Sequence, residues 1–572
     1  MGPTDITITG TRIAPAIDAT GLRQVHRDGR QVLAGIDISV QPGQVVAIVG
    51  TSGVGKSTLL DALAGVRPPS EGTVRVDGTD TSLQRGAFRT AIGYVPQDDI
   101  IHRDLPLRST LRYAANLRLP APIAAEDVEM IVDQTMRSLD LADHADVRVG
   151  DLSGGQRKRA SIGVELLTRP RVFFLDEPTS GLDPSTAAGL MRTLRRLADE
   201  GTTVVLTTHN IADLGLCDAV LFLARGGHVA FYGTLDDALE HFDTVDVAEI
   251  FEIVSNECDP GPWAQRVAAA RRRTSSATSD RPTTPTSPTA TAVVNGPGAF
   301  RQWSVLTRRS IDVLRRNRLT LAITFGSPAL VVAMFLVLFE PGAFDRVDPD
   351  PTAAVMIAFW TAFAGFFFGL TYGLLQICTE MSILRRERFV GLGVGPYLFA
   401  KLTVLVPVLV VVVGTMLGVL GATDRLPALS IQDTAMLALT VLLDAVAAVA
   451  LGLLASAAVA EPAHATLALP MLCFPAVLFS GAVLPVEAMA GPGVALSVVT
   501  SDRWAFEAIG RQLRLGDMDI GGSGASGSAL EPYGGAFAGS SAGHWLTLVA
   551  FCAVFLVGAA SVLRRRTTPA TA

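Results

Sequence analysis

The sequence predicts an α/β domain followed by an all-α domain that crosses a membrane six times. Up to about residue 300, apolar runs are short and alternate with charged, helix-forming stretches. Beyond that point they are long enough to cross a bilayer as helices. Residues 273–297 are rich in Thr, Ser, Pro and Ala, a composition that cannot bury a core and predicts a flexible linker. We therefore place the domains at 18–245 and 301–568, with a largely disordered linker at 246–300.

The overall composition excludes several classes of protein. Hydrophobic residues make up 49% of the chain, charged residues make up 18%, and the net charge of −7 gives no basic footprint for nucleic acid. The five cysteines are scattered without a CxxC pair, so neither a zinc site nor a disulfide framework is indicated. The first thirty residues have no apolar core of the kind that marks a signal peptide, so we expect the N-terminus in the cytoplasm.

In the first domain, short apolar runs read as buried strands. They are Val45 to Val49, Val172 to Leu175 and Thr203 to Thr207, with helical stretches between them. This alternation is typical of an α/β fold with a largely parallel sheet. The first run leads directly into a glycine-rich segment.

That segment fits the phosphate-binding loop pattern GxxxxGK[ST]. It comprises Gly50, Thr51, Ser52, Gly53, Val54, Gly55, Lys56, Ser57 and Thr58. The glycines let backbone N–H groups converge on phosphate oxygens, and the following helix presents its positive end to an anion. Lys56 is expected to contact the β- and γ-phosphates and Ser57 to bind Mg²⁺. A chance glycine-rich turn is the alternative, but the preceding strand argues against it.

Two carboxylates end the strand at Val172 to Leu175. Asp176 is expected to orient Mg²⁺ and Glu177 to polarise the attacking water. The alternative makes both residues a helix cap, which their position downstream of a phosphate loop disfavours. These motifs alone predict a P-loop nucleotide hydrolase.

A third motif narrows the class. Leu152-Ser153-Gly154-Gly155-Gln156 resembles the signature sequence of ATP-binding cassette (ABC) proteins. Ser153, Gly154, Gly155 and Gln156 would form a second anion-binding site at a helix N-terminus. The resemblance implies that this site closes on ATP held by the opposite subunit.

The resemblance extends to further elements. Gln97 resembles the glutamine of the Q-loop, Ser180 to Asp183 resembles the D-loop, and His209 resembles the switch histidine that contacts the γ-phosphate. It implies Glu177, His209 and Gln97 as catalytic residues, and Ser57, Gln97 and Asp176 as magnesium ligands. One departure is His26, which occupies the place of the aromatic residue that stacks on adenine; a histidine stacks with less area.

The second domain contains six apolar runs of about the length that a bilayer-crossing helix needs. We predict spans at 319–339, 353–378, 397–420, 434–459, 464–484 and 545–564. Arginine clusters precede the first span and follow the second and sixth, at residues 315–318, 385–388 and 564–566. Six spans place all three clusters on one side, as the positive-inside rule requires. Both termini are therefore expected in the cytoplasm.

Asp444, in the fourth predicted span, is costly at that depth, at about 2.5 kcal/mol or more. One interpretation is a polar contact in a substrate path or a proton-linked site. The other is a neutral residue hydrogen-bonded to Thr440, or one nearer the outer interface.

An aromatic cluster on the second span predicts either packing and lipid contact or a cavity lining: Phe359, Trp360, Phe363, Phe366, Phe367 and Phe368.

Several stretches resemble the G subfamily (White family) of ABC transporters, of a prokaryotic, actinobacterial type. Residues 94–120 resemble its Q-loop region, residues 380–401 its coupling helix and third span, and residues 478–485 the end of its fifth span. The resemblance implies type II exporter architecture and a half-transporter that works as a homodimer, with a heterodimer as the alternative.

By the same resemblance, ATP and Mg²⁺ would drive the export of a lipid or other amphipath across the cell membrane, and membrane lipids rather than nucleic acid would be the partners. An ATP-hydrolysing membrane sensor and an importer-type cassette protein are the alternatives.

Overall fold

The computed structural model describes residues 17–26, 28–76, 78–81, 92–120, 122–256, 296–345, 349–518 and 530–567. Most of the predicted linker lies outside them. The chain divides into two compact units. The first unit comprises Met1–Gly298, Arg386–Leu392 and Pro569–Ala572; the second comprises Ala299–Arg385 and Gly393–Thr568.

The first unit is an α/β structure. Its strands are β1 (Ile17–Val25), β2 (Gln31–Val40), β3 (Val45–Val49), β4 (Glu71–Val76), β5 (Thr79–Asp80), β6 (Ile92–Val95), β7 (Val172–Leu175), β8 (Thr203–Thr207), β9 (Ala219–Ala224) and β10 (His228–Gly233). Its helices are α1 (Lys56–Leu63), α2 (Leu107–Arg118), α3 (Ala125–Ser138), α4 (Gly154–Leu166), α5 (Pro184–Asp199), α6 (Ile211–Leu214), α7 (Leu235–Phe242) and α8 (Val247–Asn256). The three strands predicted from the sequence are β3, β7 and β8.

Two sheets form this unit. A six-stranded sheet has the order β10-β9-β3-β8-β7-β6, in which only β10 runs antiparallel to its neighbour. A smaller antiparallel sheet has the order β2-β1-β4-β5. Because β3, β8, β7 and β6 are parallel neighbours, their carboxyl ends lie at one edge of the large sheet.

Side chains of β3 alternate between two apolar cores. Val45, Ala47 and Val49 belong to the core that includes α2 to α5, whereas Val46 and Ile48 belong to the core shared with α1 and the small sheet. A parallel strand covered on both faces reads as a continuous apolar run, which is why the sequence alone identified it.

The packed part of the first unit extends past the predicted domain end at residue 245. Helix α8 lies within the predicted linker, and its Ile250 and Val254 are buried in the larger core. The sequence did not predict this helix as part of the domain, because its apolar pattern is short and a Thr/Ser/Pro-rich stretch follows it.

The second unit is all helical. Its helices are α9 (Ala299–Arg316), α10 (Arg318–Leu338), α11 (Pro351–Leu374), α12 (Met381–Phe389), α13 (Val394–Ala422), α14 (Ile431–Ala458), α15 (Pro462–Leu478), α16 (Gly491–Val498), α17 (Ser501–Gln512) and α18 (Ala542–Thr567). Helix α12 straddles the division, because the first unit takes its residues from Arg386 onward.

Within the described ranges, four helical stretches are long and apolar enough to cross a membrane: Pro351–Phe389, Val394–Ala422, Ile431–Ala458 and Ala542–Thr567. They coincide with the second, third, fourth and sixth predicted spans. The first predicted span coincides with α10, Arg318–Leu338, and the fifth coincides with a shorter apolar helix, Pro462–Leu478. The fifth is shortened where α15 gives way to an irregular segment after Leu478.

Helices α11 and α14 pack backbone to backbone through a glycine stripe, Gly365, Gly369 and Gly373. A Cβ atom added at any of the three would meet a backbone carbonyl oxygen of α14, belonging to Val441, Ala445 or Val449. Small residues at four-residue spacing allow this approach between membrane helices. The aromatic residues of α11 serve packing to a large extent, since Phe359, Phe366 and Phe368 are buried.

Candidate functional site

The phosphate loop connects β3 to α1 and depends on glycine at two of its positions. Gly50 and Gly55 have φ angles of 152° and 107°. A Cβ on Gly50 would lie 2.6 Å from the Leu223 carbonyl oxygen, and one on Gly55 would lie 2.8 Å from the Val32 carbonyl oxygen. Any other residue would therefore displace the loop from β9 and β2.

Lys56 is the first residue of α1 and is buried. Its Nζ donates hydrogen bonds to the Gly50 carbonyl at 2.9 Å and to the Thr51 carbonyl at 3.0 Å. Burial lowers the pKa of Lys56, while the charges of Glu177 and Asp176 oppose that shift. The ammonium group thus lies within electrostatic reach of both carboxylates, although they follow a different strand.

Asp176 follows β7 and is held by two hydroxyl groups. Ser57 Oγ donates to Asp176 Oδ1 at 3.1 Å, and Thr207 Oγ1 donates to the same oxygen at 2.6 Å. Hydroxyl and carboxylate oxygens are ligands that Mg²⁺ accepts. The Ser57 and Asp176 oxygens therefore fit the predicted magnesium site, where the bound ion would neutralise charge on phosphate oxygens.

Glu177 is where the three predicted catalytic residues meet. Gln97 Nε2 donates to Glu177 Oε2 at 3.2 Å, and His209 Nδ1 lies 3.5 Å from Glu177 Oε1. The Glu177 backbone has a positive φ of 45°, and its N–H donates to Thr207 Oγ1 at 2.8 Å. A left-handed conformation is uncommon for glutamate, and the bond to Thr207 helps to hold it.

The site also depends on residues that the sequence analysis did not identify. Thr207 bonds both to Asp176 and to the Glu177 backbone. Asp213 accepts hydrogen bonds from Thr179 at 2.6 Å and from Thr208 at 2.7 Å, which ties the segment after Glu177 to the one carrying His209. None of these residues has a spacing motif, so only the hydroxyl of Thr207 at a strand end could have signalled a role.

Lys158 is a further residue of this kind. Its buried Nζ donates to the Gln97 carbonyl at 2.7 Å and to the Pro96 carbonyl at 3.3 Å, so α4 holds the segment that carries Gln97. Burial lowers the pKa of Lys158, and the nearby Asp99 opposes this shift. The predicted signature helix thus fixes the segment of its own chain that carries Gln97, a predicted catalytic residue.

The predicted signature residues lie apart from the phosphate loop. Ser153 caps α4 in a capping box with Gln156, whose Nε2 lies 2.8 Å from His144 Nε2. Ser153 and Gly154 are exposed, and a Cβ atom on Gly154 would have nothing within 4 Å. Packing within this chain therefore does not require glycine at position 154, whereas Gly155 is closely packed against Thr186.

His26 is exposed in the tight turn between β1 and β2. Its N–H donates to the Arg30 carbonyl at 2.8 Å, and its carbonyl accepts from Gly29 N–H at 2.9 Å. Its role in binding adenine stays a prediction.

Comparison with known proteins agrees with this arrangement. Residues 33–180 match the family "ABC transporter", and residues 301–508 match the family "ABC-2 type transporter". A Mycobacterium tuberculosis protein named "ABC transporter ATP-binding/permease protein Rv1747" is 34% identical over 510 residues, which is 87% of this chain and 57% of that protein. The Arabidopsis thaliana protein "ABC transporter G family member 28" is 37% identical over 217 residues, or 36% of this chain and 19% of that protein.

The present chain thus spans a little over half the length of its mycobacterial relative. The two family matches fall on the two compact units in order, ATP-binding domain first and membrane domain second. The chain therefore joins an ABC transporter ATP-binding domain to an ABC-2 type membrane domain, and its relatives include an ABC transporter G family member.

Proposed function

We propose that this chain is one half of a dimeric, ATP-driven exporter that moves a lipid or another amphipath across the cell membrane, with its ATP-binding domain and both termini in the cytoplasm. The observation that carries the proposal is the convergence of Lys56, Asp176 and Glu177 at one edge of the sheet. Glu177 would accept a proton from the attacking water, and its contacts with Gln97 and His209 support a role for both in orienting it.

The exposed N-terminus of the signature helix α4 supports a dimer. A complete ATP site needs a second anion-binding site. Among the described hydrogen bonds, none joins Ser153 or Gly154 to the phosphate loop of the same chain. The open space at Gly154 suits a phosphate group brought by a second copy, because the positive end of α4 favours an anion there. Two copies related by twofold symmetry would share two such sites.

An exposed apolar face in the second unit supports an amphipathic substrate. Helix α15 exposes Leu467, Met471 and Phe474 at a spacing of four and three residues, which places them on one apolar face. Such a face fits a second copy or a lipid chain. The helices of this unit that are long and apolar enough to cross a membrane carry few charged residues, and one of these, Lys401, is bound to Glu380, which disfavours a highly charged solute.

The shared-site dimer can be tested by mixing two inactive variants. Glu177→Gln removes the base but keeps the signature, whereas Gly154→Asp blocks the signature but keeps the base. In a mixed dimer one site carries both defects and the other carries neither. Equal amounts reconstituted together should restore about one quarter of the wild-type ATPase rate, since half of random dimers are mixed and each has one intact site.

Each variant alone serves as the control and should be inactive. Absence of recovery in mixtures that form mixed dimers, as shown by pull-down of differently tagged chains, would contradict the shared site.

Transport itself is tested with a fluorescent short-chain phospholipid in proteoliposomes. ATP-dependent movement is expected with wild type and not with Glu177→Gln; ATP hydrolysis without movement of any amphipathic probe would favour the membrane sensor instead.

A further inference from the structure

Two carboxyl groups are completely enclosed in the second unit, Asp444 on α14 and Asp502 on α17. Both residues are 0% exposed. The two helices pack against each other, and Gln512 Nε2 of α17 donates to Thr440 Oγ1 of α14 at 2.7 Å. Sequence analysis identified Asp444 but not Asp502, because Asp502 lies outside every apolar run.

Neither carboxyl group is satisfied by hydrogen bonds. Within the part of the chain that the structure describes, none of the four carboxyl oxygens has a hydrogen-bond partner. The Ser501 hydroxyl lies beside Asp444 without forming a hydrogen bond of normal geometry. The charge of Asp444 acts on Asp502, so the two groups lie within electrostatic range of each other. Thr440 is not the hydrogen-bond partner of Asp444 that the sequence suggested, since its hydroxyl donates to the Met436 carbonyl.

The basic groups on the neighbouring elements are bonded to residues other than Asp444 and Asp502. Arg503, next to Asp502 in the chain, donates through Nε to Glu507 at 2.8 Å and through Nη1 to Ser497 Oγ at 2.8 Å. His544 of α18 contacts the other oxygen of Glu507 at 2.9 Å. Neither cation compensates the enclosed pair.

The remaining packed helices add no charge at this point. Helix α11 contains no charged residue, and Lys401 of α13 is bound to Glu380 at 2.8 Å. Helix α15 contributes Cys473, on which the charge of Asp502 acts, while His464 at its cytoplasmic end is exposed. Among the described residues, Ser501 therefore lies beside Asp444, and Cys473 lies within range of the charge of Asp502.

An uncompensated pair of buried carboxylates is costly, so the two groups cannot both be ionised. The N-terminus of α17, next to Ser501, favours one negative charge through the helix dipole but does not compensate two. A proton is the ligand that satisfies these constraints, because two fully enclosed side chains leave no opening for a larger one. We propose that Asp444 and Asp502 form a proton-binding site of the membrane domain, occupied while α17 packs against α14.

This site links proton binding to conformation. Loss of the proton leaves two negative charges across the α14–α17 contact, which favours separation of the helices and entry of water. Conversely, a conformational change that opens the contact releases the proton. The site does not depend on which substrate the protein exports, and its test uses neither ATP nor a substrate.

The test is an infrared titration of the full chain in liposomes between about pH 5 and pH 9. Protonated carboxylic acids have a carbonyl band that ionised carboxylates lack. We expect a band that titrates in the wild type and is lost in the double variant Asp444→Asn/Asp502→Asn. Each single variant should retain one titrating acid at a lower pH, because the like charge has been removed. The matched control Asp433→Asn, on the exposed start of α14, should leave the band unchanged.

Three results would overturn the proposal. The first is an unchanged band in the double variant, and the second is a band that does not titrate in the wild type over this range. The third is a titration that moves when Na⁺ and K⁺ are replaced by choline, which would indicate a metal-cation site. If the double variant does not fold, the nearly isosteric single variants decide the question: an unchanged band and midpoint in both would refute it.

Discussion

At the scale of single residues, Glu177 has the clearest assignment. Glu177→Gln keeps the hydrogen bond with Gln97 available but removes the base, so ATP turnover should fall by about 10²- to 10⁴-fold while ATP binding is kept. Turnover is measured by phosphate release and binding with a fluorescent ATP analogue. Glu200→Gln, at the exposed end of α5, is the control and should behave as wild type. Turnover of Glu177→Gln within a factor of two of wild type would show that another group is the base.

Glu165 is a second residue with a definite expectation. It is buried, which by itself raises the pKa of a carboxyl group, but the charges of Arg118 and Arg386 outweigh burial and hold the pKa of Glu165 at about 2. Arg118 donates to both of its oxygens, at 2.6 and 2.9 Å. A folded-state pKa below the ordinary 4.5 means that the stabilisation is complete above about pH 4.5 and is lost as the pH falls towards 2.

We therefore predict that Glu165→Gln lowers the free energy of unfolding near pH 7 by about 3–5 kcal/mol, since two buried arginines lose their counter-ion. The variant should also lose the part of the acid destabilisation due to this residue. Denaturant unfolding in detergent, followed by circular dichroism at several pH values, measures both effects. Equal pH dependence of wild type and variant below pH 4.5 would contradict the assignment.

The sequence identified residues whose spacing is fixed by local chemistry. Lys56, Asp176 and Glu177 were found because a loop or strand end places each one in a short motif. Thr207, Lys158 and Asp502 were missed because their partners are distant in the chain, and pairing across a fold has no local pattern. The strands β3, β7 and β8 were predicted for the same local reason, whereas α8 was hidden by its polar surroundings.

At the scale of helices, the contact between α11 and α14 makes the strongest prediction. Gly369→Ala would place a methyl group against the Ala445 carbonyl, and backbone cannot move aside as a side chain can. We expect a loss of about 1–3 kcal/mol in stability, seen as a lower midpoint of thermal aggregation in detergent. Gly414→Ala on α13 is the matched control, because a Cβ there meets nothing within 4 Å. Equal midpoints for the two variants would rule out the tight packing.

At the scale of the whole molecule, the course of the chain is informative. It leaves the first unit after Gly298, returns for Arg386–Leu392 and then enters the second unit again at Gly393. Within the first unit, Arg386 donates to Glu165 at 2.6 Å, to the Ile100 carbonyl at 2.7 Å and to the Ser161 carbonyl at 2.8 Å.

This segment is suited to transmit nucleotide-dependent change, because it is joined on both sides to membrane helices. Arg386→Glu should leave ATP binding intact and reduce ATP-driven movement of a phospholipid probe more than ATP hydrolysis. The exposed neighbour is the control: Arg385→Glu changes charge equally but breaks no described bond. Reduction of transport and hydrolysis by the same factor in Arg386→Glu would show that the contact serves stability rather than coupling.

The glycine stripe of α11 has a mechanical consequence. With the carbonyl oxygens of α14 filling the places of absent methyl groups, the two helices can neither rotate nor slip lengthwise without a collision of backbone atoms. The two helices therefore move together as one rigid body, and the number of independently moving elements in the membrane domain is smaller than its number of helices. Conformational change in this domain must therefore occur at other helix–helix contacts. A covalent cross-link between α11 and α14 would not restrict it.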